Sequence, residues 1–200
     1  MPRGPHLCNG SLGMQQPYLT TARLVLRPHH EGDIPALVTL AGDSRIAATT
    51  GTVPHPYTAD TARCWLATHA PAWNDGSQVH YAIIEREGKA LRGTLSLRRD
   101  GVGTANLGYW IGVPYWGQGF ATEACAALIA FGFDHWSLAA INGRHLLENP
   151  ASGRVLRKNG FVPQGQTRML FPTREREETL ATYQLTRECW SVGPRVPALD

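Results

Sequence analysis

The first third of the chain alternates short apolar segments with polar breaks, and this pattern predicts one strand and two helices. Apolar residues at 24–26 lie between two arginines and indicate a strand. Apolar positions then recur at helical spacing over 34–40, with Asp33 as a candidate cap before them and Gly42 as the end of the helix. A second helix is predicted to begin at Thr58, after a loop that contains two prolines.

The middle of the chain predicts three consecutive strands and one buried helix. Residues 80–85 and 91–97 flank a Glu-Gly turn, which is typical of a hairpin, and residues 106–113 follow an Asp-Gly turn as the third strand. The segment 123–133 is apolar on nearly every side, so we expect a helix that is buried against the sheet.

The last part of the chain predicts a strand at 143–147, a helix at 152–159 and a closing hairpin. The hairpin strands are expected at 161–162 and 179–185, on either side of a loop at 167–178. The resulting order, βααβββαβαββ, is that of an α/β sandwich built around a mixed sheet.

Composition and charge fit one globular domain and exclude several classes of protein. The chain has 200 residues, of which 42% are hydrophobic and 18% charged. Its net charge of +3 comes without a block of Lys or Arg, so nucleic-acid binding has little support. No apolar run reaches about 18 residues, so we expect no membrane span. The first 16 residues also lack the apolar core of a signal peptide.

The cysteines argue against a metal site and for a cytoplasmic location. They are Cys8, Cys64, Cys125 and Cys189. They are far apart and form no Cys-x-x-Cys pair, so a zinc site is not expected. Scattered cysteines in a chain of this size are typical of reduced thiols.

The first candidate binding segment is a glycine-rich turn between a predicted strand and a predicted helix. The segment 116–122 has the sequence Trp-Gly-Gln-Gly-Phe-Ala-Thr. Such a turn presents backbone N–H groups to a phosphate, and the helix N-terminus adds about half a positive charge. The spacing is neither that of a P-loop nor that of the dinucleotide-binding fingerprint. By itself the segment could be an ordinary turn.

A second segment about thirty residues later has the pattern Asn-x-x-Ser, in Asn149 and Ser152, followed by Lys158, Gly160 and Phe161. Together, the two segments resemble the GNAT N-acetyltransferases, in the branch of the ribosomal-protein N-terminal alanine and serine acetyltransferases. The pyrophosphate loop of that family begins with Gln or Arg, where this chain has Trp116. The resemblance extends over about residues 18–190.

The resemblance implies the acyl-CoA N-acyltransferase fold, an α/β architecture with a mixed, mostly antiparallel sheet, a central splay and helices on both faces. It implies acetyl-CoA as co-substrate, with its pantetheine arm in the splay beside a free strand edge and its pyrophosphate on the glycine turn. The residues expected to bind it are Ile111, Gly112, Val113, Trp116, Gly117, Gln118, Gly119, Phe120, Ala121, Thr122, Asn149, Ser152 and Lys158.

The resemblance also implies a role for Ser152 as the catalytic acid that protonates the departing thiolate. A backbone N–H near Val113 is the candidate donor to the developing oxyanion. Asn149 is expected to hold the pantetheine amides or a water, although Asn149 and Ser152 could instead be helix caps. The general base is left open between a water chain and a side chain such as His80 or Tyr109.

The favoured function is acetyl transfer from acetyl-CoA to a primary amine, either a protein N-terminus or a small molecule, by direct attack in a ternary complex. The alternative is a non-catalytic acyl-CoA-binding or sensing domain. We expect an N-acetyltransferase domain at 18–190 between a mobile tail at 1–17 and a C-terminal tail at 191–200. The protein is expected to be a cytoplasmic monomer or homodimer that binds no metal. Met1 and Met14 are both possible starts.

Overall fold

The computed structural model describes residues 15–192. Its eight strands are β1 Leu19–Thr20, β2 Leu24–Arg27, β3 Gln78–Glu85, β4 Leu91–Gly101, β5 Thr104–Ile111, β6 Ala140–Leu146, β7 Val162–Phe171 and β8 Arg176–Thr186. The helices of the described range are α1 Ile34–Ala41, α2 Ser44–Thr50, α3 Ala59–Ala67, α4 His69–Asn74, α5 Phe120–Asp134, α6 Pro150–Lys158 and α7 Arg187–Val192. Short 3-10 turns lie at Glu31–Asp33, Val113–Tyr115 and Pro172–Arg174.

All eight strands form one sheet in the order β1-β2-β3-β4-β5-β6-β8-β7. The β5–β6 pair is parallel and the other pairs are antiparallel. Helix α5 supplies the crossover that a parallel pair requires. The mixed, mostly antiparallel sheet expected from the sequence is therefore confirmed.

Helices cover both faces of the sheet, as expected. Helix α5 is buried along most of its length in the larger core cluster, together with Leu156 of α6. Helices α1 and α3 pack on the opposite face, against Ala82, Ile84 and Leu91. No helix within residues 15–192 is both long and apolar enough to cross a membrane.

Two helices between β2 and β3 were not predicted. The segment Ser44–Thr50 buries only Ile46, so it has no apolar periodicity to recognise. Its first turn is stabilised locally, because the carboxylate of Asp43 accepts from the Arg45 N–H at 2.9 Å. The other unpredicted helix, His69–Asn74, buries no residue completely.

The expected cap at Asp33 and the expected loop at 167–178 are both wrong. The Asp33 carboxylate accepts from both Arg27 Nη atoms, at 2.8 and 2.6 Å, and it does not cap α1. Most of the expected loop belongs to β7 and β8, which pair as far as Phe171 and Arg176. Strand β7 is an edge strand that is exposed along most of its length, so it lacks the hydrophobic alternation that predicts strands.

The expected tails lie mainly outside the described residues, as do Met1 and Met14. Within the expected N-terminal tail, the Gln16 side chain donates to His80 O at 2.7 Å and Pro17 O accepts from the Tyr81 hydroxyl at 2.9 Å. At the other end, helix α7 continues past residue 190 to Val192. The domain limits remain predictions.

Candidate active site

The sheet opens at its parallel pair. Strands β5 and β6 pair from Thr104 with Ala140 to Leu107 with Gly143, and both strands continue beyond that point without pairing with each other. A cavity of about 1160 Å³ lies along this opening. The central splay that the resemblance implies is therefore present.

One end of the cavity is formed by the first turn of α5. Gly119 precedes the helix in the left-handed conformation, with φ of 82°, and no side chain caps the helix there. The Glu123 N–H bonds to Gly119 O at 3.1 Å. The N–H groups of Gly119, Phe120, Ala121 and Thr122 precede this bond and so lack an acceptor within the helix. Together with the helix dipole, these donors give the turn a positive electrostatic potential.

Arg23 holds this turn in place, which the sequence did not indicate. Its Nε donates to Glu123 Oε2 at 2.7 Å and its Nη1 donates to Gln118 O at 3.0 Å. Its guanidinium also lies 4.8 Å from the centre of the Phe120 ring. Burial favours the neutral form of Glu123, but hydrogen bonds from Thr21 and Arg23 outweigh this effect and lower the pKa of its carboxyl.

Ser152 lies at the splay in the first turn of α6 and contacts a tyrosine. The Tyr109 hydroxyl lies 2.7 Å from Ser152 Oγ and donates to Ser152 O at 3.1 Å. Burial raises the pKa of Tyr109, so its phenol stays protonated at neutral pH. Ser152 does not cap α6. Asn149 is the cap, because its Oδ1 accepts from the Ser152 N–H at 3.3 Å.

Two asparagines connect the elements around the cavity. Asn149 Nδ2 donates to Thr49 O at 3.3 Å, which joins the start of α6 to α2. Asn159 Nδ2 donates to Thr122 O at 3.3 Å, which joins the end of α6 to the first turn of α5. The sequence gave no signal for Asn159, because its partner lies 37 positions away.

The strand edge that faces the splay includes Ile111, as expected, and extends toward Tyr109 where Val113 was expected. The Gly112 N–H donates to Arg92 O at 2.8 Å, on the β4 side. Because neighbouring residues of a strand direct their backbone groups to opposite sides, the backbone groups of Tyr109 and Ile111 face the splay. The Ile111 carbonyl is not free, since it accepts from Trp116 Nε1 at 2.6 Å.

Three of the expected cofactor-binding residues do not line the cavity. They are Gly112, Val113 and Gln118. Val113 begins a 3-10 turn that leads the chain away from β5. The Gln118 side chain is directed to Pro114 O, to which its Nε2 donates at 3.2 Å. The other expected residues line the cavity: Ile111, Trp116, Gly117, Gly119, Phe120, Ala121, Thr122, Asn149, Ser152 and Lys158.

The opposite half of the cavity contains His80. Its ring stacks on His69 with centroids 4.0 Å apart, and His29 lies 5.3 Å beyond His69. His80 lines the cavity and the other two histidines do not. Burial lowers the pKa of His80 to about 4, and neighbouring His29 adds to the effect. His80 is therefore neutral at neutral pH.

Comparison with known proteins identifies the family. Residues 23–162 match the acetyltransferase (GNAT) domain. An uncharacterized N-acetyltransferase of Bacillus subtilis, YoaA, is 27% identical over 154 residues, which cover 76% of this chain and 86% of that protein. An FsC-acetyl coenzyme A-N(2)-transacetylase of Aspergillus fumigatus is 28% identical over 192 residues, which cover 88% of this chain and 78% of that protein.

The solved structures agree on the fold. The spermidine N-acetyltransferase of Vibrio cholerae, in complex with CoA and spermine, superposes with a TM-score of 0.72 at 20% identity and covers 86% of this chain and 99% of its own. The chain therefore belongs to the GNAT acetyltransferase family and has its fold. It is an acyltransferase enzyme.

Proposed function

We propose that the protein transfers the acetyl group of acetyl-CoA to a primary amine, by direct attack in a ternary complex. The observation that carries this proposal is that one cavity joins an uncapped helix N-terminus to a half-buried hydroxyl pair at a splay. The first turn of α5 supplies uncapped N–H donors, and Ser152 and Tyr109 form the pair. The name of the Aspergillus relative, which includes acetyl coenzyme A, supports the choice of donor.

The anionic end of acetyl-CoA fits the α5 end of the cavity. The N–H groups of Gly119, Phe120, Ala121 and Thr122 would receive the pyrophosphate. Arg154 and Lys158 line the same half of the cavity from α6 and would face the remaining phosphate. Arg157, the third cation of that helix, donates instead to the Tyr183 hydroxyl at 3.0 Å and has no part in the proposal.

The pantetheine arm would pair with the edge formed by Tyr109 and Ile111. Pairing with the Ile111 carbonyl requires the Trp116 indole to release it. The Ile111 N–H faces the same gap and is the proposed donor to the developing oxyanion, in place of a donor at Val113. Asn149 Oδ1 retains a second lone pair for a pantetheine amide.

Ser152 is the proposed acid. As the amine nitrogen bonds to the thioester carbon, the C–S bond breaks and the thiolate takes the Ser152 proton. The Tyr109 phenol, 2.7 Å away, can donate a hydrogen bond to the serine oxygen and so stabilise the negative charge that develops there. The pair is intact, which favours catalysis over the alternative of a non-catalytic acyl-CoA-binding domain.

His80 is the proposed acceptor of the amine proton. It is neutral, it lines the cavity on the face opposite Ser152, and its ring nitrogens have no hydrogen-bond partner among residues 15–192. A pKa of about 4 makes it a weak base, so we expect its contribution to be modest.

We also propose a cytoplasmic location. Cys64 and Cys189 are exposed and unpaired within the described range, which is typical of proteins in a reducing compartment. The oligomeric state remains a prediction, monomer or homodimer.

The test is calorimetric titration with acetyl-CoA, followed by thiol release against a panel of amines. Ser152→Ala should lower kcat by about tenfold to a thousandfold with an unchanged dissociation constant for acetyl-CoA, because only the departing thiolate needs the hydroxyl. Ser191→Ala is the control, since that hydroxyl lies on α7 and bonds only Glu188 O at 2.8 Å.

The outcomes separate the two candidate functions. Binding without turnover on any amine would favour the acyl-CoA-binding domain. Absence of binding would overturn the assignment of the α5 turn. Wild-type turnover in Ser152→Ala would remove Ser152 from the chemistry while leaving the binding site in place.

A further inference from the structure

Two arginines lie on the sheet face where the acceptor would bind. Residues directly opposite each other in a sheet share a face. Arg98 of β4 pairs with Asn106 of β5, which pairs with Asn142 of β6. Arg144 lies two positions after Asn142 and so shares that face as well. Arg98 and Arg144 therefore project from the same face on either side of β5, and both line the cavity.

This face is opposite the one that holds the α5 turn and Ser152. A Cβ added to Gly143, the residue before Arg144, would lie 2.7 Å from Leu156 of α6, which places α6 on the other side of the sheet. His80 shares the face of the arginines, because it pairs with Ser96, two positions before Arg98. Ser152 would protonate the sulfur from one side of the sheet, which leaves the side of the arginines open to the amine.

Arg144 also lies at the apex of the splay. The last paired residues of β5 and β6 are Leu107 and Gly143, and Arg144 is the first residue of β6 beyond them. A group bound by its guanidinium would be close to the point where the proposed thioester carbonyl would lie between the strands. Arg98 can reach the same group from the other side of β5.

Neither guanidinium has a partner in the described part of the protein. The side chains of Arg98 and Arg144 make no ion pair and no hydrogen bond with any residue from 15 to 192. The charge of Arg98 adds to burial in lowering the pKa of Arg144, so the two cations are near each other. Paired cations of this kind are stabilised by a bound anion.

The carboxylate of Asp100, which acts on Arg144, is already engaged by other residues. Asp100 raises the pKa of Arg144, which shows that it is nearby, yet it makes no ion pair with it. Its oxygens accept instead from Thr104 Oγ1 at 2.6 Å, Asn106 Nδ2 at 2.6 Å and Asn142 Nδ2 at 3.1 Å. Among residues 15–192, no Asp or Glu lines the cavity.

We propose that the acceptor is a primary amine that carries a carboxylate, and that Arg98 and Arg144 bind this carboxylate beside the splay. The inference rests on the proposed acetyl transfer and names its substrate class. Guanidinium groups bind carboxylates through paired, charge-assisted hydrogen bonds. A polycationic amine would instead meet two unpaired positive charges and no carboxylate in the lining.

The experiment compares matched acceptors in the thiol-release assay. Glycine and alanine are compared with their amides, and each kcat/KM is expressed per concentration of neutral amine, because the amides have more acidic ammonium groups. A peptide that begins with Asp is compared with one that begins with Asn, which distinguishes a free amino acid from an acidic peptide as the source of the carboxylate. Spermidine serves as the polycation.

In at least one pair, the acceptor that carries the carboxylate should have the higher kcat/KM per concentration of neutral amine. Arg98→Gln and Arg144→Gln should each remove about tenfold to a hundredfold of that preference, while the activity on the amide and the affinity for acetyl-CoA stay unchanged. Unchanged acetyl-CoA affinity also shows that the variants are folded. Arg63→Gln is the matched control, because Arg63 is an exposed cation on α3 that pairs only with Asp60.

Several results would overturn the inference. If amides or spermidine were acetylated as fast as the carboxylate-bearing amines or faster, the inference would be wrong, although acetyl transfer itself would be established. A preference that survives in both variants would exclude the two arginines as its cause. Acetyl-CoA binding without turnover of any carboxylate-bearing amine would exclude this substrate class. Failure to bind acetyl-CoA would instead refute the proposed function itself.

Discussion

At the residue scale, the site pairs each proposed proton transfer with a different face of the sheet. Ser152 and Tyr109 are in contact on the face covered by α5 and α6. His80 lies on the opposite face and lines the part of the cavity that the amine would enter. The proposed proton donor, Ser152, and the proposed proton acceptor, His80, are therefore separated by the sheet and do not exchange a proton directly.

His80→Gln tests the proposed proton acceptor. Because the neutral imidazole would take the amine proton, we expect kcat to fall by about tenfold, with the dissociation constant for acetyl-CoA unchanged. Thiol release under saturating substrates measures kcat. The effect should be small for a catalytic base, because the pKa of about 4 limits the strength of the imidazole as a base.

His69→Gln is the control for His80→Gln. His69 stacks on His80 and shares its buried cluster, but it does not line the cavity. The control should retain turnover while its stability changes by a similar amount. Equal turnover in both variants would mean that the amine loses its proton directly to water.

At the element scale, the first turn of α5 depends on a backbone conformation that favours glycine. Gly119 has φ of 82°, and a Cβ there would lie 3.4 Å from Arg23 Nη2. The contact with Arg23 is an ordinary one, so the strain of a side chain at this position comes from the left-handed backbone conformation.

Gly119→Ala should weaken acetyl-CoA binding by at least about tenfold, because the Cβ would occupy the surface proposed to receive the pyrophosphate. Calorimetric titration measures this loss. The left-handed conformation also costs stability, roughly 1–2 kcal/mol, which thermal unfolding measures separately.

Gly88→Ala separates these two effects. Gly88 has φ of 68° in the turn between β3 and β4, and a Cβ there would meet nothing within 4 Å. This variant should lose a similar amount of stability and keep its affinity. A similar loss of affinity in both variants would show that strain, and not the phosphate site, causes the effect.

At the scale of the whole molecule, the buried histidines make stability depend on pH. Burial, with the charges of the neighbouring histidines, lowers the pKa of His69 to about 2. Burial lowers the pKa of His80 to about 4, and it also lowers the pKa of His29. The unfolded chain binds protons at these residues below pH of about 6.5, and the folded protein does not.

The free energy of unfolding should therefore fall as the pH drops from about 6.5 to 5, by up to about 1.4 kcal/mol per pH unit for each histidine. Each kcal/mol corresponds to roughly 2–4 °C in Tm for a chain of this length. Thermal unfolding at several pH values measures the slope. This window lies above the range in which carboxylates titrate.

His69→Phe should reduce this slope by the contribution of one proton, up to about 1.4 kcal/mol per pH unit. The titrating group is removed, while an aromatic ring that can stack on His80 remains. His135→Phe, at an exposed histidine that stacks on Phe131, should leave the slope unchanged. An equal slope in wild type and His69→Phe would show that the cluster does not control acid stability.

Much of the fold was predictable because local signals coincided with burial. The hairpin from β3 to β4 and the buried helix α5 have regular apolar patterns, and the structure confirms both. The extra helices α2 and α4 and the long hairpin of β7 and β8 were not predicted, because these elements bury few residues.

The candidate site was predictable only where a motif is contiguous. Gly119 and Ser152 were found from their segments, and both line the cavity. Arg23 and Asn159 were missed, because each contacts the α5 turn from a distant part of the chain. Val113 was expected to face the splay together with Ile111, but β5 ends at Ile111 and Val113 begins a 3-10 turn.

The sequence by itself determined the family, the glycine turn that opens α5 and the serine that begins α6, because these depend on neighbouring residues and on backbone conformation. Tertiary structure alone decided which side chains meet. It brought Tyr109 to Ser152, 43 positions apart, and placed Arg98 and Arg144 on one face through the pairing of three strands. Strand register sets these contacts, and register is fixed by burial of the whole sheet, which no short segment specifies.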